Sequence, residues 1–109
     1  MTGGWITPGD HARWQMQAAR ELAAILGDFG DLPLLVWTVV PAGPLLEAKL
    51  IGPTPAGRAR GTLAAWREAL GLEDYREWPG GGGTTRLHAV GRRGEVRVRI
   101  FASVFEEAR

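Results

Sequence analysis

Residues able to do chemistry are scarce in this 109-residue chain. His11 and His88 are the only histidines, Ser103 is the only serine, and cysteine is absent. Zero cysteine excludes disulfides, thiolate nucleophiles and cysteine-held metals together. The two histidines fall in different segments, and neither stands three or four residues from a second ligand as a helical metal motif requires. Ser103 has no glycine elbow around it. Gly80-Gly81-Gly82-Gly83-Thr84-Thr85 resembles a phosphate loop in composition only. A working loop follows a strand, precedes a helix and carries lysine before its hydroxyl residue, and here a strand follows and no lysine is present. The run reads better as a flexible connection, although glycine backbone N–H groups can hold an anion weakly. Asp28-Phe29-Gly30-Asp31 lacks the oxygen ligands of a calcium loop. Glu73, Asp74 and Glu77 are acidic, but loop carboxylates of this kind are normally solvated. No catalytic constellation emerges, so the expectation is a protein that is not an enzyme and takes no metal or cofactor.

The cations are of one kind. Twelve of thirteen are arginine, and Lys49 is the only lysine. Arginine presents a planar fork suited to carboxylates and phosphates. Yet a chain rich in Ala, Gly, Arg and Pro also reflects GC-rich codons, so position must carry the argument. A net charge of +1 supplies no general attraction to nucleic acid or lipid. The densest apolar stretch, Leu32 to Val40, is broken by Pro33 and is far short of a membrane span. The N-terminus shows no charged start followed by an apolar core, and a cytoplasmic location is expected.

The elements that must position these side chains are legible in outline. Thr7-Pro8-Gly9-Asp10 has the residues of a helix start, and Trp14, Ala18, Leu22 and Ile25 form an apolar stripe up to a stop at Gly27. Leu34–Val40 and Leu45–Ile51 read as a hairpin about Pro41-Ala42-Gly43-Pro44. A second helix runs from Thr54-Pro55 to Gly71 with Ala59, Leu63, Trp66 and Leu70 on one face. Tyr75 to Trp78 reads as a short strand. Thr84–Val90 and Glu95–Phe105 form a last hairpin about Gly91-Arg92-Arg93-Gly94. The expected fold is α+β, a single domain over 1–109, with two helices on one face of a four- or five-stranded antiparallel sheet in the order α-β-β-α-(β)-β-β. Seven identities recur 47 positions apart between the two helix starts, which suggests an α-β-β duplication with halves 7–51 and 54–105.

Two-residue turns at Ala42-Gly43 and Arg92-Arg93 set the registers. In the first hairpin Leu35, Trp37 and Val39 face Leu50, Ala48 and Leu46. In the second, Leu87 faces Val98 and Ala89 faces Val96, and these apolar sets should meet the helices. The outer face then carries Arg86 opposite Arg99 and His88 opposite Arg97, the candidate binding residues. Like charges directly opposite are unfavourable on a strand pair. The matching positions of the first hairpin are Val36 with Lys49 and Thr38 with Glu47, flanked by Leu34, Val40, Leu45 and Ile51. Val36, Val40, Leu45, Ile51, Trp78 and Phe101 are the candidate interface, with Phe105 continuing the outward register.

Three accounts compete for this face. It could be covered by a loop, a terminus or Glu106-Glu107. It could meet a second copy, with Glu47 pairing an arginine across the axis. It could hold nucleic acid, as open sheets with arginine and aromatics do. The favoured expectation is a small interaction or regulatory module acting as a homodimer. Nucleic-acid binding through Arg86, His88, Arg97 and Arg99 comes second, and a small-ligand binder or enzyme third. Another protein partner is compatible with the first, and no membrane role is expected.

Overall fold

The structure, a computed structural model, describes residues 5–51 and 54–106. Helix α1 (Pro8–Asp28) starts at Thr7, whose hydroxyl accepts from the Asp10 N–H at 3.1 Å while the Asp10 carboxylate accepts from the Thr7 N–H at 2.9 Å. This reciprocal box satisfies two backbone donors that a helix start otherwise leaves unpaired. Strands β1 (Val36–Val40) and β2 (Leu45–Lys49) follow, then α2 (Ala56–Leu70), β3 (Asp74–Pro79), β4 (Thr84–Arg93) and β5 (Val96–Phe105). Helix α2 ends at Gly71, whose φ of +68° is the left-handed stop that glycine adopts without cost. No helix among the described residues is long and apolar enough to cross a membrane.

The five strands form one sheet in the order β1-β2-β5-β4-β3. Three pairs are antiparallel, and β2 runs parallel to β5, so the sheet is mixed at its centre. Seen from the helix side, the two hairpins therefore have opposite hands, and no rotation in the sheet plane carries one onto the other. Both helices cover a single face. Leu46, Ala48, Leu87, Ala89, Val98, Ile100 and Val104 from the strands meet Ala18 and Ile25 of α1 and Ala59, Leu63 and Leu70 of α2 in one core. Trp66 joins them, donating its indole N–H to the Pro33 carbonyl at 2.8 Å and meeting Trp37 edge-on at 5.6 Å. Pairing that polar handle is what lets so large a ring be buried.

The first hairpin has the expected register, with Trp37 opposite Ala48 and Val39 opposite Leu46. The second does not. Strand β4 continues through Arg93, and the two-residue turn is Gly94-Glu95, with Gly94 at φ +61°. Tight hairpins need a left-handed residue that glycine supplies and arginine resists, so the turn slides to the glycine. The turn moves by two residues and each pairing partner by four, which preserves the faces but changes the partners. Arg86 lies opposite Ser103, His88 opposite Phe101, Arg99 opposite Val90 and Arg97 opposite Arg92. The glycine run is also firmer than expected. Gly81–Gly83 forms a tight turn with Gly82 and Gly83 at φ +67° and +80°, closed by Gly80 N–H to Thr84 carbonyl at 2.8 Å and Thr84 hydroxyl to Gly81 carbonyl at 2.7 Å.

Candidate functional site

The face of the sheet away from the helices is open, and the registers place its side chains in rows. Across β1, β2, β5, β4 and β3 one row reads Val36, Lys49, Phe101, His88 and Arg76. On one side of it lie Thr38, Glu47, Arg99, Val90 and Asp74. On the other, β5, β4 and β3 contribute Ser103, Arg86 and Trp78. Beyond the Glu47 row come Val40, Leu45, Arg97 and Arg92. The expected binding residues Arg86, His88, Arg97 and Arg99 therefore share this face, but they are dispersed among aromatic and apolar neighbours. Arg92, which the expected turn removed from the sheet, joins them. Arg76 lies in the short strand expected over Tyr75 to Trp78 and Asp74 extends that strand by one residue, but neither was assigned to this face. The alternation of Asp74, Arg76 and Trp78 was the available signal, since Trp78 was already placed outward.

Cations exceed carboxylates on this face. Lys49, Arg76, Arg86, Arg92, Arg97 and Arg99 face outward against Glu47 and Asp74. Both carboxylates are already engaged. Glu47 bonds Arg99 across the parallel pair of strands, and Asp74 accepts from Arg76 Nε at 3.2 Å. The expectation that Glu47 meets an arginine of a second copy is thus replaced by a pair within one chain, because β5 rather than a neighbour lies beside β2. Arg99 is held tightly enough that its Nε is buried and has no hydrogen-bond partner among the described residues. Glu106 does not cover the face either. It pairs with Arg60 of α2, which also binds Glu77 at 2.9 and 3.0 Å on the helix side. Glu107 lies outside the described residues.

A shallow hollow of about 240 Å³ sits between these rows, walled by Trp78, Arg86, His88, Arg99, Phe101 and Ser103, with Glu47 at its margin. Trp78, 41% exposed, meets the His88 ring edge-on at 5.8 Å. Burial lowers the His88 pKa, Asp74 opposes that and Arg76 adds to it, so the ring is neutral at pH 7. The permanent positive charge lining the hollow is that of the Arg86 and Arg99 guanidinium groups. Among the described residues no group of three or more His, Asp or Glu could hold a metal ion. Comparison with known proteins found no matching family model, curated protein or solved structure. The site is therefore read from its own geometry.

The β1–β2 flank differs. Val36 and Ile51 are exposed and Leu34 is 74% exposed, while Val40 is half-buried. Leu45, expected at the interface, is only 7% exposed and belongs to the packed interior of the flank between Val40 and Arg97. Phe101 and Phe105 are exposed on β5, so the aromatic area expected there is present. The face divides into an apolar flank and a cationic, aromatic half with Lys49 at the seam.

Proposed function

We propose that this chain is a small non-catalytic interaction module that acts as a homodimer, joined on the apolar flank of its sheet. The division of the open face supports this reading. Leu34, Val36 and Ile51 leave apolar surface next to water on one side, and exposed apolar patches of this kind mark contact surfaces. Six cations gathered on and beside the other side oppose packing the whole face against its own copy. Joining through the flank keeps like charges apart and leaves the cationic half free for a partner. A cytoplasmic setting belongs to this proposal and suits a chain without cysteine. The test is sedimentation velocity at low micromolar concentration. A dimer that weakens when Val36 and Ile51 are both changed to serine supports the reading, and a strict monomer ends it.

A second reading draws on one specific arrangement. Phe101 stands between Lys49 and His88, and Arg86 stands between Ser103 and Trp78. Aromatic rings interleaved with cations on an open sheet can stack bases and hold phosphates. Under this reading the cationic half binds single-stranded nucleic acid, and affinity falls as salt rises. The Arg86→Glu/Arg97→Glu double variant should then lose binding to a labelled single-stranded oligonucleotide. Absence of binding by the unaltered protein at low salt ends this account without touching the first.

A further inference from the structure

The two edges of the sheet are guarded differently. Edge strand β3 carries Asp74, Arg76 and Glu77 and ends at Pro79, features that discourage addition of another strand. Edge strand β1 reads Val-Trp-Thr-Val-Val, with no charge and no proline. Among the described residues its backbone hydrogen bonds go to β2 alone. An uncharged, β-branched edge with open N–H and C=O groups is a template for a further strand.

We infer that β1 pairs antiparallel with β1 of a second copy, about a two-fold axis at Thr38, making one continuous ten-stranded sheet. This rests on the dimeric reading above and specifies its joint. The edge is self-complementary in that register. Val36 meets Val40 of the second copy, Thr38 meets its own counterpart, and all four helices stay on one side. Carried two residues further, the register brings Leu34 to Ala42 of the second copy. Ala42 lies on the rim of a largely apolar depression of about 590 Å³ formed with Ile6, His11, Trp14, Val40 and Pro41. The most exposed aliphatic side chain beside the edge therefore has a hollow to enter, and symmetry supplies the contact twice.

Charge does not oppose a second copy on this edge. Arg99 of one copy and Arg99 of the other lie five strand spacings apart, about 24 Å. That is about three Debye lengths at physiological salt. The cationic halves thus occupy the two ends of the extended sheet and do not oppose its formation.

The chain has no cysteine, so a single thiol reports cleanly. Thr38→Cys should be joined between chains by a short bis-methanethiosulfonate linker, because directly opposed residues of an antiparallel pair bring their Cβ atoms within about 5.5 Å, inside that linker's reach. Ser103→Cys, two strands inward, should not. Thr38→Lys should shift the protein to monomer, and mixing it with Thr38→Glu should restore the dimer. Circular dichroism melts verify that each variant is folded. An unaltered protein that sediments as a monomer overturns both this inference and the dimeric reading. A dimer whose Thr38→Cys form does not cross-link, or whose folded Thr38→Lys form stays dimeric, overturns the edge joint and leaves the dimeric reading standing.

Discussion

Protonation separates two groups of side chains in this molecule. Burial holds the folded pKa of His88 below its ordinary value of 6.5. The unfolded chain therefore binds the proton more readily in the window between the lowered value and 6.5. The contribution of His88 to stability is fully present above 6.5 and is lost as pH falls through the lowered value. His88→Gln should flatten the fall of the urea midpoint as pH drops below about 6.5. An unchanged profile in that window would show that His88 is not held neutral by the fold. Glu77, Glu106 and Asp10 act at lower pH. Hydrogen bonds from Arg60 lower the first two, and the backbone N–H of Thr7 leads for the third. Their contributions are present above the ordinary carboxylate range and disappear in acid, so the His88 variant should leave that limb intact. At this scale Trp37 and Trp66 were legible in the sequence as inward residues, because helix and strand periods place them. The partner of Glu47 was not legible, because it depends on which strand lies beside β2.

Elements explain the error in the second hairpin. Gly91-Arg92-Arg93-Gly94 looks symmetrical, and side-chain alternation cannot distinguish a turn at its centre from one two residues later, since both keep the same faces. The two glycines do different work. A Cβ on Gly91 would come within 2.7 Å of Leu72 Cδ2 and 3.0 Å of its Cα, so Gly91 lets β4 pass close to the chain leaving α2. Gly94 has open space around it and is needed for its φ of +61°. Gly94→Ala should cost about 1–2 kcal/mol in urea unfolding, the usual penalty for a left-handed alanine. Gly94→Asn should cost less, since asparagine visits that region more readily. Equal losses for the two would mean that the turn does not depend on backbone handedness. The helices were legible in outline because Thr7-Pro8-Gly9-Asp10, Gly71 and two apolar stripes signal a start, a stop and the faces independently, although α1 runs past the expected stop at Gly27 to Asp28.

Strand order sets the character of the whole molecule, and no periodicity in the sequence encodes it. Alternation tells each strand which way to face and is silent on which neighbour it takes. Placing β5 between β2 and β4 joins the halves through the parallel β2–β5 ladder, from Leu45 beside Arg97 to Lys49 beside Phe101. The same placement leaves β1 and β3 as the edges and draws Glu47 and Arg99 together. It also separates an apolar flank from a cationic one on a single continuous face. The proposed dimer and the proposed nucleic-acid surface both inherit their geometry from that order. The order also has a consequence in time. On the ribosome β5 emerges after the other four strands, yet it is the one that both the β1–β2 and the β3–β4 pairs need. Until it arrives, β1–β2 and β3–β4 each wait with an inner edge unfilled, exposed to any other extended chain nearby. Arrest or cleavage before Val96 should therefore leave two orphan ribbons, prone to aggregate, in place of a smaller version of the same sheet.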